Sequence, residues 1–182
     1  FGSFDYAADD VKKPDFVKHA YARGVPMGGD LKPGSGRGAG KAPTFLVMAL
    51  KDPKSGNLDR VQIVKGWLDA AGKQHEKIFD VAWSGDRKIG AGGKLPAVGN
   101  SVDLKTATYT DTIGAPQLAT GWTDPEFKPD QRAFYYARVL EIPTPRWNTY
   151  DAVRMNMPPL TKVPATIQER AWSSPIWYAP GK

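Results

Sequence analysis

Two imidazoles, His19 and His75, are the only ring-nitrogen metal donors in this chain, and it has no thiol. A catalytic or structural metal site needs several such donors, or carboxylates, gathered at short spacing. Neither His belongs to a His-x-His, His-Glu-x-x-His or Asp-x-His pattern. His19 therefore reads as a helix-surface residue and His75 as a solvated one beside a turn. The absence of Cys excludes disulfides, thiolate zinc sites and cysteine nucleophiles. No Gly-x-Ser-x-Gly elbow occurs, and neither His stands beside an obvious Ser nucleophile. Asp52, Asn57 and Asp59 could surround a cation, but their spacing is not that of a calcium loop, and a plain turn explains them. Glu141 and Glu169 both fall on predicted strands. Facing one another in a cleft, they could work as a glycosidase pair; an ion pair with Arg138 or Arg170 is the more ordinary outcome. The run Gly34-Ser35-Gly36-Arg37-Gly38-Ala39-Gly40-Lys41-Ala42 is glycine-rich without being a phosphate loop. Its spacing misses the Walker pattern, and Pro43 with a strand follows where a helix should start.

The densest local chemistry lies near the C-terminus. Pro145-Arg146-Trp147 and the segment Gln168 to Tyr178 bring Arg, Trp and Tyr together in sequence. A guanidinium offers a planar fork to an anionic group, and an indole offers a stacking face. Arg146, Arg170 and Trp172 are accordingly the candidate ligand-binding residues. The competing explanation is that these aromatics fill the core or a contact with a neighbouring domain. No catalytic residue is assigned.

Elements that could position these residues follow from pattern. With 41% hydrophobic and 24% charged residues, 19 Gly and 16 Pro in 182, the chain suits short strands and long loops. Residues 14–23 predict one short helix, with Pro14 at its start and Arg23-Gly24 at its end. Thr44 to Leu50 is a continuous apolar run that predicts a strand buried on both faces. Arg60 to Leu68 and Lys77 to Ser84 predict a hairpin about Asp69-Ala70-Ala71-Gly72. In its second strand, Phe79, Val81 and Trp83 share one face and Asp80 and Ser84 the other. Ser101 to Thr110 alternates and predicts another strand, and residues 111–130 predict irregular structure. Arg132 to Glu141 is the strongest late strand, residues 148–164 predict a long loop, and Thr166 to Tyr178 predicts a final strand with a bulge or edge feature at Pro175. The sum is a mainly β chain: a sandwich of about six strands over residues 44–182, preceded by an arm with one short helix and a loop over 1–43.

Charge narrows the partners. The net charge is +6, but Lys and Arg are spread among acidic neighbours and no basic stripe forms, so a nucleic-acid role is not expected. No apolar run is long enough to span a membrane. The absence of Cys leaves the compartment open, periplasm and secretion included. The opening Phe1-Gly2-Ser3-Phe4-Asp5-Tyr6 lacks Met and the pattern of a signal peptide, and Phe1, Phe4 and Tyr6 look like the tail of a strand. The expectation is a C-terminal piece of a longer polypeptide.

Longer motifs carry a resemblance. Gly24 to Leu31, Lys51-Asp52-Pro53, Asn57 to Trp67, Ala137 to Trp147 and Ile167 to Tyr178 together resemble the C-terminal part of a large bacterial family known only by a domain-of-unknown-function number, 3604. That family is similar to metal-dependent hydrolases of the polymerase-and-histidinol-phosphatase (PHP) superfamily. The resemblance implies that a His- and Asp-rich metal site belongs to an N-terminal barrel-like domain preceding Phe1. No cofactor is then expected in this chain, and a divalent metal is expected only in that missing domain, which would be its partner. The resemblance thus implies an accessory C-terminal β domain, catalytically silent alone. A free-standing carbohydrate- or small-ligand-binding β-module is the alternative.

Overall fold

A computed structural model describes residues 1–33 and 40–181; the candidate phosphate-loop residues 34–39 lie outside them. The architecture is mainly β and sandwich-like, as the composition implies. In chain order, β1 (Gly2–Ser3), a 3-10 helix (Ala8–Lys12), α1 (Phe16–Arg23) and β2 (Asp30–Leu31) lead into β3 (Thr44–Leu50), β4 (Leu58–Leu68) and β5 (Gln74–Trp83). After a long connection come β6 (Gln117–Thr123), β7 (Ala133–Glu141), β8 (Thr144–Pro145), α2 (Trp147–Arg154), β9 (Thr166–Ile167), β10 (Arg170–Trp172) and β11 (Ile176–Tyr178).

A small sheet, β1-β3-β6, faces a larger one of order β2-β11-β7-β4-β5, with β10 pairing β7 beyond β11. All pairs are antiparallel except β11 with β2. β8 and β9 form a separate two-stranded ladder. Both sheets fill the space between them by alternation, so Phe45 from the small sheet meets Ile63, Tyr135 and Ile176 from the large one. A second interior cluster joins Leu58, Val61 and Leu118. The far side of the small sheet is covered by α1 and the 3-10 helix, where Leu46 packs with Tyr6, Val11 and Ala20. The 3-10 helix comes so close to β6 that a side chain on Gly121 would meet the Ala8 backbone at 2.2 Å.

Several sequence expectations need correction. β3 is not buried on both faces throughout: Leu46 is covered, but Met48 and Leu50 run past the helical cover and are exposed. Residues 101–110 form turns rather than a strand. Asn100 and Asp103 side chains accept the Val102 and Lys105 amides, a local bonding pattern that competes with ladder formation, and Ala107 adopts a φ of 52°. Within 111–130 lies β6, paired along its length with β3; that long-range pairing overrides the local turn signals. Residues 148–164 contain most of α2, which starts as soon as the extended Arg146 ends and buries Asn148, Thr149 and Ala152. The long final strand is three short ones, because Gln168 and Ser173 direct their side chains to other backbones: Gln168 donates to Glu141 O and Ser173 Oγ accepts the Ala137 amide.

The β4–β5 hairpin forms as expected, with Asp69 accepting the Ala71 and Lys73 amides and Gly72 at φ 76° in its turn. A bulge shifts its register, so that Val61 pairs with Ala82 but Gln62 with Asp80. Trp83 therefore lies opposite Arg60, on the face of Asp80, and not on the face of Phe79.

Candidate functional site

The registers place the three candidate ligand residues in two locations. Arg170 and Trp172 stand on one face of β10, opposite Leu140 and Arg138 of β7. Trp172 is 60% exposed. Arg146 caps α2 at the end of the separate β8 ladder, where its amide donates to Ala165 O. Among the described residues, neither Arg146 nor Arg170 stacks on an indole or takes part in an ion pair.

The other candidates are engaged elsewhere. Glu141 accepts the Ser55 hydroxyl and pairs with Glu169 through the backbone, Glu141 N to Glu169 O at 3.0 Å. Arg138 donates to Gln62 and not to a carboxylate. His19 is half-buried, with Nε2 3.3 Å from Asp10 Oδ2. His75 stacks on Trp67 at 5.3 Å and pairs with Asp69 at 2.7 Å. That His75 bond is the main reason the Asp69 carboxyl lies below its ordinary range. No group of three or more metal-ligating side chains forms among the described residues.

Two polar networks that sequence reasoning missed tie the sandwich together. In the first, the Lys65 ammonium, 4% exposed, donates to Asp124 Oδ2 at 2.6 Å and to Glu126 O at 2.8 Å. Asp124 is fully buried and also accepts the Tyr135 hydroxyl at 2.8 Å. Burial first, and the adjacent Asp124 charge second, push the Tyr135 phenol far above its ordinary range. The signal was present: Lys65 shares the inward parity of Ile63 and Trp67. In the second network, Asp59 has no exposed surface. Its Oδ2 accepts from Arg60 Nε at 3.0 Å and Gln168 Nε2 at 2.9 Å, and its Oδ1 lies 2.7 Å from Arg87 Nη2. Arg87 also donates to Ser84 O and Pro96 O, which pins the loop after β5 to the start of β4. Both networks span elements distant in sequence, so they are structural ties.

Two surfaces stand out among the described residues. The first is a groove of about 540 Å³ between the edges of the two sheets, lined by Phe1, Phe16, Tyr21, Met48 and Leu50 and, from the large sheet, by Trp172 and Ile176. Phe1 and Leu46 exchange both backbone hydrogen bonds, so the Leu46, Met48 and Leu50 backbones face the β1 side of β3.

The second surface is the outward face of the large sheet. One row across it reads Asp30, Trp177, Phe134, Gly66, Glu76, from β2 to β5. Phe134 lies across Gly66 because that position has no side chain: a Cβ there would sit 2.3 Å from Phe134 Cζ. Gly66→Ala should therefore swing the ring away and cost about 1–3 kcal/mol by overpacking. A drop in melting temperature together with changed Trp177 fluorescence would register this, and unchanged values would count against the assigned packing.

These observations define a sandwich-like β domain with internal polar ties, an open edge groove and an aromatic outer cleft. The chain belongs to the family described as Protein of unknown function (DUF3604), whose model matches residues 1–180. No curated protein and no solved structure matches it.

Proposed function

We propose that the chain is the accessory β domain of a larger polypeptide, a metal-dependent hydrolase of the PHP-like kind, and that it packs against the catalytic domain through the edge groove. The observation that carries this reading is the cluster of exposed apolar side chains around that groove. Met48 is 42% and Leu50 65% exposed, beside Tyr21 and Met27. Contiguous exposed apolar surface of this kind marks a contact with another domain. In this role the domain closes one wall of the substrate cleft and carries out no bond-breaking itself. The metal, with its His and Asp ligands, belongs to the other domain. Among the described residues no helix is long and apolar enough to cross a membrane.

The gene sequence upstream of the Phe1 codon is the first test. The reading requires an open reading frame that encodes a domain with clustered His and Asp there, and a frame beginning at Phe1 overturns it. A second test replaces Met48 and Leu50 together by Asp. Both are surface positions, so the chain alone should keep its stability to within about 0.5 kcal/mol. In the longer polypeptide the substitutions should separate the domains, read as an increase in scattering radius and a loss of hydrolase activity. Unchanged dimensions and activity would contradict the proposed contact. The exposed Trp172 and Trp177 favour the second reading, a free-standing carbohydrate- or small-ligand-binding module. That module would lack an upstream catalytic domain, so the same gene sequence separates the two.

A further inference from the structure

On the outward face of the large sheet a cleft of about 890 Å³ opens over the row of Asp30, Trp177, Phe134, Gly66 and Glu76. That volume lies in the range of small-molecule sites. Phe134 and Trp177 lie with ring centroids 5.4 Å apart, and Phe134 stacks near-parallel on Tyr136, with 9° between their planes. Trp177 is 50% exposed. Phe134 and Trp177 therefore form the aromatic floor of the cleft.

Polar groups ring this floor. Asp30 and Glu76 stand at opposite ends of the row, and Arg132 and Gln74 line the adjoining one. None of these four side chains has a hydrogen-bond or ion-pair partner among the described residues, whereas the neighbouring His75 is fixed by Asp69 and Trp67. Four strand spacings separate Asp30 from Glu76, roughly 19 Å. An aromatic floor with both donors and acceptors at its rim matches a ligand with an apolar face and a hydroxylated edge. Asp30 and Glu76 are balanced by Lys32 and Arg132 in the lining, which suits a neutral ligand, and the polar rim disfavours a lipid chain. The length of the row suits several linked rings better than one.

We propose that this cleft binds a neutral oligosaccharide. The sugar C–H faces stack on Trp177 and Phe134, and their hydroxyls donate to Asp30 and Glu76 and accept from Arg132 and Gln74. This site is distinct from Arg146, Arg170 and Trp172. It needs neither reading of the whole protein, because a domain joined to a hydrolase and a free-standing module can both carry it.

The test is titration of the full chain with three neutral tetrasaccharides, β-1,4-linked glucose, xylose and N-acetylglucosamine, followed by calorimetry and tryptophan fluorescence. At least one should bind at millimolar concentration or below and shift the fluorescence. Trp177→Ala should weaken that binding at least tenfold, Trp177→Phe should restore part of it, and Glu76→Gln should weaken it with the melting temperature unchanged. Trp147→Ala, on α2 and outside the cleft, should bind as the parent does. Overturning results are failure of all three sugars to bind, binding indifferent to Trp177 and Glu76, or binding that Trp147→Ala abolishes. Preference for a quaternary ammonium compound over every sugar would also overturn the assignment.

Discussion

Asp124→Ala should be among the most damaging single substitutions in the protein, lowering stability by about 3–5 kcal/mol. The reason is the company that Asp124 keeps. Lys65, 4% exposed, loses its counter-ion while remaining inside the sandwich, and the Tyr135 hydroxyl loses its acceptor. An uncompensated buried charge is costly, whereas replacing both members of a buried pair by apolar groups can be nearly neutral. Combining Asp124→Leu with Lys65→Met should thus recover much of the loss, although Tyr135 would still lack its partner. Thermal or urea unfolding of the single and double variants measures this directly; additive losses would show that the pair is not coupled. The same cluster sets an alkaline limit. The folded-state pKa of Tyr135 lies above its ordinary value near 10, so the unfolded chain loses the phenolic proton first. The stabilisation is complete below about pH 10 and is lost as pH rises beyond it.

Asp59→Ala should cost about 3 kcal/mol or more by the same logic, with a different local consequence. Arg60 and Arg87 would face each other's charge without the carboxylate between them, and Gln168 would lose one of its two acceptors. Arg87 is also the tie that holds Ser84 and Pro96. Loosening it frees the loop that follows β5, so trypsin should cut at Lys88 and Lys94 in the variant far faster than in the parent. Equal cleavage rates at matched temperature below the transition would contradict the role given to this network.

How far the sequence disclosed all this depends on the range of the interactions involved. The β4–β5 hairpin was legible because two alternating runs flank Asp69 to Gly72 and the turn chemistry is local. β6 was not, since Gly121 and the Thr residues around it signal turns, and only pairing with β3 makes them a strand. Ser101 to Thr110 failed in the opposite sense: its alternation looked like a strand, but Asn100 and Asp103 satisfy nearby amides themselves. The α2 helix was obscured by the prolines on either side of it. At the candidate sites, the grouping of Arg146 with Arg170 and Trp172 rested on residue type. The β8–β9 ladder instead sets Arg146 apart from β10. Trp177 and Phe134 meet only because β11 pairs with β7, at a sequence distance that no local pattern reveals. Glu76, Arg132 and Gln74 come together at that face only because β4 pairs with both β5 and β7, the latter again at long range.

The Met48 and Leu50 amides offer the most direct test of the edge as an interdomain contact. They belong to residues whose side chains line the edge groove. Hydrogen exchange should be followed at these two amides in the 182-residue chain and in the longer polypeptide encoded by its gene. The account predicts fast exchange in the chain alone and protection in the longer polypeptide greater by at least roughly tenfold. Equal exchange rates in the two would contradict it.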